Sequence, residues 1–184
     1  MEHYYKTLPG ENWFNYEEFY QFVISQLPEN SKMIEVGSWL GRSISYFAVE
    51  SKIQNKNIDC YCVDIWEPYS EITNHSVFEN GGAYQTFLSN TNKVKDMITP
   101  IKGESINISK DFDDSYFDFI FIDAAHDYDN VYNDIKHWLP KLKSNSIIGG
   151  HDYYNTNEVA MAVNDFFGVS NIKVNGPCWY YVKN

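Results

Sequence analysis

The chain reads as an α/β fold: a doubly wound, mostly parallel sheet of seven strands that ends in an antiparallel hairpin. Three observations predict it. Short β-favouring runs alternate five times with helical patterns, which is the signature of a parallel sheet covered on both faces. The first of these runs enters a turn with glycines four apart, Gly37 and Gly41, and then a helix start. The last two runs flank Asn175-Gly176-Pro177, a strong reversal signal.

In chain order, residues 15–27 carry apolar side chains at helical spacing, with Asn15 as the expected N-cap and Pro28 as a stop. Residues 33–36 form the first strand and 42–52 the next helix, which buries Ile44, Phe47 and Ala48. The second strand spans 58–65. A loop is expected from Trp66 to Ala83, a helix over 84–97 and a third strand over 98–102. Phe117–Ile122 is the clearest buried strand. The helix after it, over 128–142, is shortened or kinked by Pro140. A turn at Asn145-Ser146 precedes a fifth strand over 147–150, then a helix over 157–167 and the hairpin of 172–174 with 178–182. With 184 residues and no linker or repeat, one domain over 1–184 is expected. Residues 1–30 would form an N-terminal helical cap, and 66–84 a substrate loop.

Composition narrows the function. A formal charge of −11 disfavours nucleic acid and anionic membrane as partners and favours small ones. The three cysteines, Cys60, Cys62 and Cys178, lack zinc spacing, and an odd count suggests reduced thiols in a cytoplasmic protein. The first residues hold no apolar signal core, and no run is long enough to span a membrane.

In such sheets ligands bind beyond the carboxyl ends of the strands. Those ends carry Gly37–Ser43, Asp64, Gly103–Ser105, Asp123–His126 and His151-Asp152. Glu35, acidic inside a core strand, requires a polar partner, which a nucleotide-like cofactor would supply. Asp64, at the end of the strand after the glycine turn, is placed to accept from both hydroxyls of a ribose. Trp39 occupies the place of the middle glycine of a dinucleotide turn, so a nucleoside fits better than NAD. No P-loop ending and no nucleophile elbow is present. Asp127 and Asp129 read as helix caps. Arg42 is the chain's one arginine and has no evident partner.

The stretch Glu35-Val36-Gly37-Ser38-Trp39-Leu40-Gly41-Arg42-Ser43 resembles the first motif of class I S-adenosylmethionine-dependent methyltransferases, closest to the catechol O-methyltransferase-like group. The segments VDIWEP and FIDAAHDYDNVYNDIKHWLPKLKSNSIIGGHDYY resemble a bacterial group that methylates glycans and natural products. The resemblance runs from Met33 to Tyr154. It implies a Rossmann-like methyltransferase fold and S-adenosyl-L-methionine as cofactor. Glu35, Gly37, Ser38 and Ser43 would surround its methionine part, Asp64 would hold its ribose, Ser105 would contact its adenine and Trp66 or Ile65 would pack on the adenine face, with Trp39, Gly41 and Asp123 as further cofactor-binding residues.

The same resemblance implies an O-methyltransferase for a small molecule or sugar. Mapped onto this chain, Asp123, His151 and Asp152 take the metal-ligand positions and His126 that of the proton acceptor. A histidine among oxygen ligands suits Mn, Fe or Zn better than Mg. A metal-free His–Asp arrangement stays open, and so does a purely structural role for His151 and Asp152. Two other functions also remain open at this level: a hydroxylase-like enzyme on the same fold and a non-catalytic cofactor-binding module.

Overall fold

The computed structural model describes residues 2–68, 76–78 and 82–184. Seven strands form one sheet: β1 Lys32–Val36, β2 Asp59–Asp64, β3 Ile98–Lys102, β4 Phe117–Ile122, β5 Leu142–Gly150, β6 Lys173–Asn175 and β7 Cys178–Val182. Their order is β3-β2-β1-β4-β5-β7-β6. The first five pair in parallel, and β7 runs antiparallel to both β5 and β6. This is the expected fold class, hairpin included. Strand order reverses between β1 and β4, where a crevice opens above the sheet.

The helices are α1 Glu17–Gln26, α2 Arg42–Ile53, α3 Gly82–Thr91, α4 Ser105–Ser109, α5 Tyr128–Trp138 and α6 Asn157–Phe167. The period of two in the buried strands divides the core. Met33, Cys60, Cys62, Phe119 and Phe121 face α1 and α2, where they meet Phe19, Tyr20, Val23 and Phe47. Ile34, Val36, Ile120, Ile122 and Ile148 face the other way, against Val131, Ile135 and Trp138 of α5 and Val159 and Val163 of α6. All three cysteines are buried and unpaired. Among the described residues no helix is long and apolar enough to cross a membrane.

Several local readings need correction. Asn15 does not cap α1; Tyr16 precedes the helix with no side-chain cap, because the Asn15 amide is engaged elsewhere. The helix expected over 84–97 is α3 followed by a 3-10 segment, Asn92–Met97. Strand β5 begins at Leu142, and Asn145-Ser146 lies inside it. The polar run 143–146 hides a strand that continues through a left-handed residue, Asn145 (φ 59°). Helix α4 lies in a stretch without helical periodicity. The Pro140 expectation holds, since α5 stops at Trp138 and a 3-10 turn carries the proline. Most of the loop expected over 66–84 falls outside the described residues.

Candidate active site

The glycine turn is built by contact with the neighbouring strand end. At Gly37 (φ 90°) a Cβ would lie 2.1 Å from the Asp123 carbonyl oxygen, so only glycine fits. Trp39 is also left-handed, and Gly41 (φ 81°) forms the N-cap of α2. Asp64 holds the turn from the side: its Oδ2 accepts from the Trp39 N–H at 2.8 Å and its Oδ1 from the Trp66 N–H at 2.7 Å. Burial pushes the Asp64 carboxyl up, against the lowering effect of these backbone bonds.

A cavity of about 840 Å³ opens over this turn and the other carboxyl ends. Gly37, Ser38, Trp39, Ser43, Asp64, Ile65, Ser105, Asp123, His126, His151 and Asp152 line it, so residues named from five strand ends share one wall. Three expected cofactor residues do not line it. Glu35 lies beneath, fully buried, and accepts from the Tyr20 hydroxyl of α1 at 2.7 Å, with Ser43 and Ser38 as further hydrogen-bond partners. Burial pushes the Glu35 carboxyl up to about 7 against those bonds. Trp66 is 2% exposed, packs on Tyr84 and Phe87, and donates its indole N–H to the Trp39 carbonyl. Gly41 turns toward Phe87 and Thr91.

Next to the glycine turn, the ends of β4 and β5 bring a cluster to the same cavity. His126 Nε2 is 3.0 Å from Asp152 Oδ2 and 4.0 Å from Asp123 Oδ1. His151 Nδ1 lies 3.1 Å from Asp152 Oδ2 and 3.5 Å from Asp123 Oδ1, and its Nε2 lies 2.9 Å from the Asn15 side-chain oxygen. Both nitrogens of His151 thus face oxygen acceptors, as an imidazolium requires. The Tyr16 hydroxyl donates to Asp123 Oδ2 at 2.8 Å. The three side chains whose ligand atoms all lie within 4.8 Å of one another are Asp123, His126 and Asp152. His151, the other residue expected as a ligand, adjoins this group through Nδ1 and turns Nε2 to Asn15.

The family model described as a methyltransferase domain matches residues 34–153. The chain belongs to the class I S-adenosylmethionine-dependent methyltransferases. Among curated proteins, this chain is 22% identical over 144 residues to the uncharacterized protein y4gI of Sinorhizobium fredii. That stretch is 78% of this chain, and it spans only 15% of the length of the relative. A provisionally named caffeoyl-CoA O-methyltransferase from Staphylococcus aureus superposes with a TM-score of 0.67 at 15% identity, covering 97% of this chain and 87% of the other. A precorrin 8w decarboxylase from Methanobacterium thermoautotrophicum gives 0.62 at 14% identity, with 92% and 78% covered. CalS11, a TDP-rhamnose 3'-O-methyltransferase of calicheamicin biosynthesis, gives 0.60 at 11% identity, with 90% and 76% covered. At such identities the likeness concerns the fold.

The cavity has the size and the groups that S-adenosylmethionine would require. It is roomy enough for a nucleoside with an amino-acid arm, and Asp64 reaches it as a buried carboxylate with its orientation fixed by two backbone donors. Carboxyl groups of Asp64, Asp123 and Asp134 also line its wall and would complement a sulfonium charge.

Asn15, Tyr16, Tyr20, Trp138 and Arg42 brace the site from beside or beneath it, a role that the sequence signals for none of them. Ser105 donates to Asp134 Oδ1 at 2.5 Å and accepts from the Trp138 indole at 2.8 Å, which fixes the start of α4; burial pushes the Asp134 carboxyl up to about 6. Arg42 donates to the carbonyls of Tyr5, Leu8 and Gly10. None of these pairs is signalled by local spacing. Asp127, read as a cap, does cap α5 through the Asn130 N–H.

One pH dependence follows from the cluster. Burial opposes charge on His151, but hydrogen bonds to Asp123 and Asp152 outweigh it and raise its pKa to about 9. Unfolded histidine titrates near ~6.5, so this stabilisation is complete below that pH and is lost as pH rises through the folded value. Urea unfolding should therefore show stability declining across that window, and His151→Gln should flatten the decline.

Proposed function

We propose that the protein transfers a methyl group from S-adenosylmethionine to a hydroxyl of a small molecule or sugar, and that the Asp123–His126–Asp152 cluster takes up the hydroxyl proton. The observation that carries this reading is the cluster itself, which lines the same cavity as the glycine turn and adjoins it at Asp123. Methyl transfer from a sulfonium is an in-line displacement, so the acceptor must be aligned and its proton removed. Ser38, Ser43 and Asp64 would hold the cofactor from the turn side. Asp152 holds His126 in orientation. Although burial raises an acid's pKa, the bonds from His126, His151 and Asn155 outweigh it and keep Asp152 well below the usual carboxylate range. The negative net charge supports a small acceptor over nucleic acid. Within a single domain over 1–184, the cap of 1–30 and the loop of 66–84 would shape that acceptor's site.

Two arrangements of the cluster are each favoured by an observation. Two carboxylates and an imidazole within 4.8 Å fit a divalent cation such as Mn, Fe or Zn, held by Asp123, His126 and Asp152. When bound, such an ion supplies a Lewis acid that lowers the hydroxyl pKa. The 3.0 Å contact between His126 and Asp152 favours instead a carboxylate-oriented imidazole acting as general base alone.

Calorimetry with S-adenosylmethionine should show binding in the micromolar range typical of enzyme substrates, about 1 μM–1 mM. No heat at millimolar cofactor would sink the proposal. With sugars and phenols as acceptors and labelled cofactor, loss of turnover on adding EDTA and recovery with Mn²⁺ would support the metal arrangement. Unchanged turnover would leave the base arrangement, for which His126→Ala should abolish transfer.

A further inference from the structure

Residues 11–16 lie outside the stretch that the methyltransferase family model matches, yet all six line the cavity. They form a wall that the family match does not account for, and its attachments are specific. Arg42, at the first position of α2 immediately after the glycine turn, is buried and directs its guanidinium at the approaching N-terminal segment. Its Nη1 donates to the Tyr5 carbonyl, and its Nη2 to the carbonyls of Leu8 at 2.7 Å and Gly10 at 3.1 Å. The planar fork spreads its donors over two nitrogens and so reaches carbonyls from Tyr5 to Gly10, which the single nitrogen of a shorter lysine would not span together. Trp13 then stacks on Trp39 of the turn, with ring centroids 5.7 Å apart and planes 20° from parallel. Trp13 nevertheless stays 51% exposed, poised over the opening instead of in the core where its apolar character would place it. Beyond it, Asn15 and Tyr16 contact His151 and Asp123.

From these contacts we infer that the N-terminal segment is a wall of the S-adenosylmethionine site and that Arg42 is its positioning residue, setting cofactor affinity by holding residues 5–16 against the glycine turn. This rests on the reading of the cavity as the cofactor site. The turn and the wall meet at Trp39 and Trp13, so a ligand held by the turn is enclosed only while the segment is docked. If the docked form is one state of the segment, apparent affinity falls in proportion to its population. Reciprocally, bound cofactor must favour the docked form.

Cofactor calorimetry combined with hydrogen exchange tests this without any acceptor. In the wild type, S-adenosylmethionine should bind and should slow exchange of amides in residues 5–16. In Arg42→Lys, the dissociation constant should rise about tenfold, as it would if the docked fraction fell to about one tenth. Exchange over residues 5–16 should quicken while β1 and β4 stay protected, a pattern that general destabilisation would not give. Trp13→Ala, at an exposed position that leaves folding intact, should weaken cofactor binding several-fold and serves where Arg42→Lys folds poorly. Wild-type protein that fails to bind S-adenosylmethionine would refute the reading of the cavity. Wild-type binding with an unchanged dissociation constant in both variants, or with no cofactor-dependent protection of residues 5–16, would overturn the role of the segment alone.

Discussion

Asp152→Asn is expected to lower methyl transfer about 10²–10⁴-fold, the range typical of losing a positioned proton-transfer group, with little change in S-adenosylmethionine affinity. One Asp152 oxygen lies 3.0 Å from His126 Nε2 and 3.1 Å from His151 Nδ1, so a single carboxylate sets two imidazoles. An asparagine keeps the shape and removes the charge that holds both rings. In the general-base arrangement His126 loses its orienting partner, and in the metal arrangement the cation loses an anionic ligand. Either loss acts on the reacting centre and not on the turn that faces the cofactor. The check is a kcat and KM comparison beside cofactor calorimetry. A variant that retains turnover within a few-fold would remove Asp152 from the mechanism.

Gly37→Ala should be the most damaging single change to the fold among the cavity residues. The added methyl would lie 2.1 Å from the Asp123 oxygen, 2.5 Å from its carbon and 2.6 Å from the Ala124 Cα, all backbone atoms of the adjacent strand end. Backbone cannot yield as a flexible side chain does, and φ of 90° is strained for alanine before any contact is considered. A loss of about 3 kcal/mol or more is expected, which for a chain of this size lowers Tm by roughly 6–12 °C. Gly176→Ala is the matched control: it is also left-handed, at φ 58°, but nothing lies within 4 Å of its added carbon. It should cost only about 1 kcal/mol. Urea denaturation of the two variants separates backbone strain from the clash. The Gly37 variant should also displace Asp123 and so lose cofactor binding and catalysis together.

What could be read from the sequence was what repeats at short range. The alternation of Phe119 and Phe121 with Ile120 and Ile122 marks a strand covered on both faces, and both sets are buried against different helices. Asp123, His126, His151 and Asp152 follow strand ends and so fall together once the sheet is parallel. Glu35 was legible as a group in need of a partner, but one partner is Tyr20, fifteen residues upstream on a helix whose docking no local pattern specifies. Asn15 sits where a cap of α1 is usual, but its side-chain oxygen is taken by a competing donor, His151 Nε2, 136 residues away. Trp66 looked like an adenine neighbour from its place after Asp64, and only the positions of Tyr84 and Phe87 show that its ring turns inward. Arg42 was conspicuous yet unreadable, since its acceptors are backbone carbonyls, which carry no residue identity.

The bond from Tyr16 to Asp123 also has a consequence for how the chain is made. Its two ends are separated by 107 residues. At a ribosomal rate of roughly 5–20 residues per second, the helix bearing Phe19, Tyr20, Val23 and Ile24 emerges about 5–20 seconds before the strand that covers it. In that interval β1 and β2 offer it Met33, Cys60 and Cys62, while the part of its cover that Phe119 and Phe121 supply is still missing. The catalytic end of the molecule closes late in synthesis, so cofactor can reward folding only after β4 and β5 are in place.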